Sequence, residues 1–345
     1  MPKSRPPQKL RWGLLATGTI AKKFAEGVAA SRTGTLQAAG SRDITRARKF
    51  ADAHDIPTAH GSYDDLLSDP NVDAIYISTP HPAHREWAIR SAEAGKHILC
   101  EKPIAVNLIE AREIATAART HGVLLMESFM YRCHPQTQRI CEIVRSGRLG
   151  NIQLIEATFG FRSQYNPSSR LWDRALGGGG ILDVGCYPMS ISRLVAGAAL
   201  GQSFADPLTI AGTGSLHPES GVDIYAVATL GFPGGIAAQI GCGVGLQLDN
   251  TLTIHGTSGR LHAPHPFLAP TESRLEVTDF EVGRTEVLEI EADRGIYALE
   301  ADAIGDAIAD GALETTAMPI DDTLGNLAAL DRWRESIGLT YEADG

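Results

Sequence analysis

The stretch Trp12–Ala21, WGLLATGTIA, decides the fold of this chain. Its first four residues are apolar, as in a buried strand, and apolar residues recur at helical spacing over Ile20–Ala30. A strand that leads through a tight turn into a helix presents backbone N–H groups at the helix N-terminus. The helix dipole favours an anion there, such as a pyrophosphate.

The turn has two interpretations. Dinucleotide-binding turns usually follow the pattern Gly-x-Gly-x-x-Gly/Ala, and here Ala16, Gly18 and Ala21 occupy the three positions. The pattern therefore predicts a dinucleotide site, and the alternative is an ordinary tight turn between strand and helix. The residues expected to bind the cofactor here are Ala16, Thr17, Gly18, Thr19 and Ile20.

The first 127 residues alternate between strands and helices. Alternation with short connections predicts an α/β domain with a doubly wound parallel sheet. The predicted strands after the first are Leu36–Ser41, Ala74–Ser78, Lys96–Cys100 and Val123–Met126, and the predicted helices are Ile44–His54, His84–Ala94 and Leu108–His121.

The pattern changes in residues 128–345. Several strands with few helices between them predict an α+β domain with an antiparallel or mixed sheet. The predicted strands are Gln153–Gly160, Ile224–Gly231, Ile236–Gly241, Leu252–His255 and Arg274–Val277, with helices over Gln136–Ser146, 181–196 and 297–310. No low-complexity linker separates the two parts, so we expect tightly joined domains.

Composition excludes some classes of partner. The chain has 345 residues and a formal net charge of −10, which disfavours binding to nucleic acid or to an anionic membrane. No apolar run approaches the roughly 20 residues that span a bilayer. The five cysteines are scattered without a Cys-x-x-Cys pair, which favours reduced thiols and a cytoplasmic protein.

The end of the second predicted strand bears on cofactor choice. Ser41 and Arg42 lie where NAD-binding domains place an acidic residue for the ribose. A guanidinium forms charge-assisted bonds with phosphate, so this pair predicts NADP over NAD. The alternatives are that Arg42 is a solvated loop residue, or that Asp43 reaches the ribose.

Two further motifs carry candidate chemistry. Cys100–Pro103, CEKP, follows a predicted strand, at the sheet edge where α/β proteins bind ligands. In Gly177–Pro188, GGGGILDVGCYP, Asp183 and Tyr187 are four residues apart and share a helix face. Taken alone, Lys102 is more often a surface lysine, and the glycine run a flexible loop beside a helix start.

Together these motifs resemble the Gfo/Idh/MocA family of NAD(P)-dependent oxidoreductases. The matching stretches are Arg11–Ala21, Ser78–Pro103, Glu127–Gln136, Gly177–Pro188, Ile254–Gly259 with Pro266-Phe267, and Tyr297-x-x-Glu300. The resemblance implies a Rossmann domain followed by a large, open-faced, mostly antiparallel mixed sheet. It also implies a homodimer or homotetramer formed through that sheet.

Tyr187 indicates which branch of the family the chain resembles. Many members have histidine where this chain has Tyr187, which resembles the glucose–fructose oxidoreductase, dihydrodiol dehydrogenase and NADP-dependent xylose dehydrogenase branch. Ala16 departs from the more common glycine of the family.

The resemblance and the chemistry of alcohol oxidation assign roles to three residues. Tyr187 is the expected general acid/base, because a nearby ammonium would lower its pKa from about 10. Lys102 is expected to supply that ammonium and to bind the substrate hydroxyl, and Asp183 to orient it by hydrogen bonds. If Tyr187 does not act, Lys102 is the alternative acid/base.

The other candidate site residues each have an alternative interpretation. Thr79, His81 and His84 are expected near the nicotinamide or substrate, and Glu101 is either structural or near the cofactor ribose. Arg170 and Trp172 would bind a polyol, or are ordinary loop and core residues. The histidine pair lacks further zinc ligands, as do the cysteines near His134, so no metal site is predicted. His262 and His265 are assigned no role.

These expectations define three function classes. The first is an NADP-dependent oxidoreductase acting on a secondary alcohol or carbonyl of a cyclic polyol, either an aldose such as xylose or glucose or a trans-dihydrodiol. The second is a ketosugar reductase of sugar biosynthesis. The third is a non-catalytic cofactor sensor, which would have no need of Lys102, Asp183 and Tyr187.

Overall fold

A computed structural model of the chain describes residues 9–345, so residues 1–8 of the predicted first domain lie outside the described part. A six-stranded parallel sheet has the strand order β3-β2-β1-β4-β5-β6, as the alternating pattern predicts. Its elements are β1 (Leu10–Leu15), α1 (Thr19–Ala29), β2 (Gly34–Gly40), α2 (Ile44–Ala53), β3 (Thr58–His60), α3 (Tyr63–Leu67), β4 (Ala74–Ile77), α4 (His84–Glu93), β5 (His97–Glu101), α5 (Leu108–His121) and β6 (Leu125–Ser128).

The central strands of this sheet are apolar because helices cover both faces. All four residues of β4 are buried, and so are four of the five in β5. The sequence analysis missed β3 and α3, which are short and lack a buried face of regular period. The strand order reverses between β1 and β4, which opens a crevice at their carboxyl ends.

The second sheet has eight strands in the order β14-β13-β12-β11-β7-β10-β9-β8. Strands β7 and β10 pair in parallel and the remaining pairs are antiparallel, which confirms a mostly antiparallel mixed sheet. The elements are α6 (Pro135–Arg145), β7 (Ile152–Gly160), α7 (Cys186–Ala199), β8 (Thr209–Leu216), β9 (Asp223–Gly231), β10 (Ala237–Gly243), β11 (Leu252–Gly256), β12 (Gly259–Ala263), β13 (Glu272–Asp279), β14 (Arg284–Glu291), α8 (Ile296–Ala309) and α9 (Ile320–Ser336).

The last helices join the two sheets. Helix α8 packs on α1, and α9 packs on α5, so the end of the chain returns to the first domain. One apolar core runs without a break from Trp12 and Phe24 to Leu252 and Leu275 of the second sheet. Within residues 9–345, no helix is both long and apolar enough to cross a membrane.

Candidate active site

A cleft of about 1870 Å³ lies at the carboxyl ends of β1, β2 and β4. This is the crevice where open α/β sheets bind nucleotides. The predicted cofactor residues that line it are Ala16, Thr17, Gly18, Thr19, Ser41, Arg42 and Thr79. The other predicted cofactor residues, Ile20, His81, His84, Glu101 and Lys102, are not part of this lining.

The turn after β1 fits a dinucleotide. Ala16 has a φ of 85°, the left-handed conformation for which most such turns use glycine. A Cβ on Gly18 would meet no heavy atom within 4 Å, so the space in front of this turn is open. The Thr79 hydroxyl is buried at the cleft and has no hydrogen-bond partner within residues 9–345. A bound pyrophosphate requires open space at a helix N-terminus, and a bound ribose requires an unpaired hydrogen-bonding group. The turn after β1 offers both.

A basic rim surrounds the part of the cleft beyond β2. Arg42, just before α2, lines it together with Arg46 and Lys49 on the helix. Asp43 also lines the cleft; its Oδ1 caps α2 by accepting a hydrogen bond of 2.8 Å from the Thr45 N–H, and its Oδ2 lies 3.8 Å from Arg46 Nε. Sequence reasoning named Arg42 and missed the other two, although their i, i+4, i+7 spacing was readable.

Lys102 follows β5 directly and reaches across to the glycine-rich segment. Its Nζ donates a hydrogen bond of 2.6 Å to the Asp183 carbonyl oxygen. The Asp183 carboxylate forms an ion pair of 2.8 Å with Nη2 of Arg170. Burial alone would raise the pKa of Asp183, but the charges of Lys102 and Arg170 hold it below its ordinary value. Two motifs separated by about 80 residues thus meet, as the sequence predicts.

Tyr187 lies beside this pair in an aromatic surrounding. Lys102 Nζ is 5.1 Å from the centroid of its ring, and the ring is packed by Phe129, Phe159 and Phe267. Its hydroxyl lies 3.4 Å from the Met130 sulfur, and the side chain is only 3% exposed.

Burial raises the pKa of Tyr187 well above its ordinary value, and Cys186 and Glu101 raise it further. The expected lowering of this pKa by Lys102 is wrong for this structure, because burial dominates and the Tyr187 hydroxyl contacts the Met130 sulfur.

Comparison with known proteins decides the family. Residues 10–129 match the family described as "Oxidoreductase family, NAD-binding Rossmann fold", and residues 137–262 match "GFO/IDH/MocA C-terminal domain". The chain belongs to the Gfo/Idh/MocA oxidoreductase family. It is an NAD(P)-dependent dehydrogenase or reductase, and the family expected from the motifs is confirmed.

Relatives match over almost the whole chain. The trans-1,2-dihydrobenzene-1,2-diol dehydrogenase of Bos taurus is 33% identical over 340 residues, which are 97% of this chain and 99% of that protein. A 3-ketoreductase from Actinomadura kijaniata, solved with TDP-benzene and NADP, is 25% identical, with a TM-score of 0.83 over 96% of this chain and 98% of that one. An aldose-aldose oxidoreductase from Caulobacter crescentus shares the fold, with a TM-score of 0.85 at 22% identity over 95% of this chain and 97% of that one.

Glu101 lies behind the site of this oxidoreductase. Its side chain is buried, accepts a hydrogen bond from the Tyr76 hydroxyl, and shares the Ser128 hydroxyl with Glu300. Burial raises the pKa of Glu101 and also that of Glu300. Of the two roles considered for Glu101, structural or near the cofactor ribose, these contacts support the structural one.

The two histidines after β4 hold loops together. His81 Nδ1 is 3.1 Å from the Gly177 carbonyl oxygen, at the start of the glycine run. His84 lies between the carbonyl oxygens of Thr79 at 2.8 Å and Pro103 at 3.0 Å, next to Lys102. Burial lowers the pKa of both, to about 4 for His84, while the carbonyl oxygens on either side of His84 act in the opposite direction.

Two predicted substrate residues differ in their surroundings. Arg170 reaches Asp183 and is half-exposed, whereas Trp172 is buried and its Nε1 donates to the Ser163 hydroxyl at 3.4 Å. Trp172 also packs against Tyr165 and His217. Among residues 9–345, no group of three or more His, Cys, Asp or Glu side chains could hold a metal ion.

Proposed function

We propose that the chain is an NADP-dependent oxidoreductase that transfers hydride between nicotinamide and a secondary alcohol or carbonyl of a cyclic polyol. A trans-dihydrodiol is the first candidate substrate and an aldose such as xylose or glucose the next. The observation that carries the proposal is the meeting of Lys102, Asp183 and Tyr187 beside a dinucleotide cleft. The activity named for the bovine relative supports the diol.

Different residues of the chain have different roles in the proposed reaction. When bound, the nicotinamide supplies the hydride acceptor or donor. Lys102 offers N–H donors to the substrate oxygen, and Arg170 fixes the Asp183 carboxylate that orients it. Tyr187 gives its proton to the oxygen of a carbonyl undergoing reduction, or takes a proton from an alcohol undergoing oxidation.

The raised pKa of Tyr187 favours one direction of the proposed reaction. A phenol that keeps its proton at pH 7 is a competent acid and a poor base, so the free protein is prepared for reduction. We therefore expect kcat for alcohol oxidation to rise with pH, about tenfold per unit below the pKa, and kcat for reduction to stay flat.

Tyr187→Phe tests the role of the phenol. We expect this variant to lose roughly 10²–10⁴-fold in kcat and to lose the pH dependence of oxidation. Tyr131→Phe is the matched control, because Tyr131 packs against Tyr187 and its hydroxyl bonds Ser190. A near-normal kcat in Tyr187→Phe would transfer the proton role to Lys102.

The preference for NADP rests on the basic rim. Arg42, Arg46 and Lys49 place three positive charges at the end of the cleft beyond β2, against the single carboxylate of Asp43, which caps α2 and pairs with Arg46. We expect Arg42→Ala and Arg46→Ala each to lower kcat/KM with NADP about tenfold or more, with little change for NAD. Arg48→Ala is the control, because Arg48 lies on α2 between Arg46 and Lys49 but not in the cleft lining. Equal losses with both cofactors would contradict the preference.

A ketosugar reductase is the second candidate function. It is favoured by the Actinomadura ketoreductase, which matches this chain over 96% of its length at 25% identity. Nicotinamide absorbance with a panel of trans-dihydrodiols, aldoses and keto-sugar nucleotides separates the two. Turnover of keto-sugar nucleotides alone would replace the first candidate.

We infer that the second sheet also joins copies of the chain into a homodimer or homotetramer. Its strand β9 presents Tyr225 and Val227 to solvent, 40% and 45% exposed. Light scattering of the purified protein tests this inference, and a monomer at micromolar concentration would contradict it.

A further inference from the structure

Asp183 and Tyr187 lie on one helical run with an irregular start. Residues Ile181–Gly185 form a π-type turn that continues directly into α7. Single π turns inside α-helices are uncommon and occur frequently at functional sites. The turn therefore has to be explained by the residues at its two ends.

At the C-terminal end, Pro188 supplies no N–H, and the Asp183 carbonyl oxygen is contacted by the Lys102 ammonium and the Cys186 thiol. A π-type bond to the Asp183 carbonyl oxygen would come from the N–H five residues later, and that residue is Pro188, which has none. Lys102 Nζ instead donates to this oxygen at 2.6 Å. The missing N–H thus coincides with the place where the lysine is held.

At the N-terminal end, Asp223 holds the turn. Its Oδ2 accepts a hydrogen bond of 2.7 Å from the Ile181 N–H, and the side chain is fully buried at the start of β9. A Cβ on Gly179 would lie 2.1 Å from the other carboxylate oxygen, and the φ of Gly179 is 108°. Only glycine fits between this carboxylate and the turn.

We propose that Pro188 and Asp223 are positioning residues that fix Lys102 for catalysis, Pro188 by offering no N–H that competes with the ammonium for the Asp183 carbonyl and Asp223 by anchoring the turn that carries it. The inference rests on the proposed role of Lys102. It assigns different tasks to two adjacent residues: Tyr187 touches the substrate, and Pro188 leaves the acceptor of Lys102 without a competing backbone donor.

Pro188→Ala tests the first half. The new N–H competes for the Asp183 carbonyl and releases Lys102, so we expect kcat to fall roughly 10- to 100-fold. The Kd for NADP, followed by quenching of Trp87 in the cleft wall, should change less than about twofold, because the cleft is untouched. Pro319→Ala, at the start of α9, is the control for removing a proline from a helix terminus and should leave kcat unchanged. An unchanged kcat in Pro188→Ala overturns the proposal.

Asp223 tests the second half through two substitutions. Asp223→Asn keeps an oxygen acceptor for the Ile181 N–H and should retain kcat, whereas Asp223→Ala removes it and should lower kcat with the Kd for NADP unchanged. Equal activity of the two variants, both folded by circular dichroism, contradicts the anchoring role.

Lys102→Met separates this inference from the proposed function. If Lys102→Met retains activity, the catalytic role of the lysine fails and the inference with it. If Lys102→Met is inactive while Pro188→Ala keeps full activity, the proposed function stands and the positioning role alone is rejected.

Discussion

Ala16 occupies a position whose backbone conformation favours glycine. Its φ of 85° lies in the left-handed region, where a Cβ costs about 1–2 kcal/mol. Glycine would remove that cost but would lose about 0.5–1 kcal/mol through the greater freedom of the unfolded chain. The first effect is the larger, so this position favours glycine on balance.

We therefore expect Ala16→Gly to raise the free energy of unfolding by about 0.5–1 kcal/mol. Chemical denaturation measures the change, and Ala30→Gly is the matched control. Ala30 has a φ of −94°, so the same substitution there gains no relief and should destabilise. A loss of stability in Ala16→Gly would show that the left-handed conformation carries no strain.

Residue-level chemistry could be predicted only in part. The meeting of Lys102 with Asp183 follows from motif positions at strand ends and a helix start, which the sequence displays. The protonation of Tyr187 depends on which atoms surround its hydroxyl, and Met130 and three phenylalanines come from distant segments. Spacing along the chain carries no information about that surrounding.

Among the elements, the crossing of α1 and α8 binds the cofactor domain to the end of the chain. A Cβ on Gly27 would lie 2.5 Å from Cβ of Tyr297, so α8 touches α1 at its backbone. Nearby, Asp302 of α8 accepts hydrogen bonds from the Ser31 hydroxyl at 2.6 Å and the Thr33 N–H at 3.0 Å. This crossing supports the helix whose N-terminus faces the cleft.

Gly27→Ala sets two effects against each other. In an open helix, alanine would stabilise by about 1 kcal/mol, but the contact with Tyr297 forces overpacking that costs about 1–3 kcal/mol. We expect a net loss of about 1–2 kcal/mol in the free energy of unfolding and weaker NADP binding. Gly295→Ala, in open space at the start of α8, is the control and should be close to neutral. Stabilisation by Gly27→Ala would contradict the close crossing.

The elements that sequence analysis missed share a physical reason. Strand β14 reads RTEVLEIE, and its side chains are almost all exposed, so burial imposes no period on it. Strands β8 and β12 contain glycines and pair within a sheet whose neighbours fix them. Helix α9 has its charged residues near both ends, and one of them, Asp322, is buried in an ion pair, so its polar residues do not mark a solvent-exposed face. The position of each of these elements is therefore determined by pairing with distant segments and not by a local pattern of residues.

At the scale of the whole molecule, we expect the two sheets to unfold as one cooperative body. The continuous core links them, and the buried carboxylate of Asp322 on α9 binds two arginines from different segments. Arg132 approaches its Oδ2 at 2.5 Å, and Arg193 of α7 binds its Oδ1. Removing the carboxylate would leave both guanidinium groups without their shared partner in the interior.

We expect Asp322→Ala to cost about 3–5 kcal/mol, because Arg132 would become a buried charge without a carboxylate partner, whereas Arg193 keeps Asp206. Its neighbour Asp321 pairs with Arg119 while 75% exposed, so Asp321→Ala should cost less than about 1 kcal/mol. Calorimetry should show one unfolding transition in all three proteins, with Tm lowered by about 5–10 °C in Asp322→Ala. Two separate transitions, with the shift confined to one, would show that the domains unfold independently and that the shared core does not couple them.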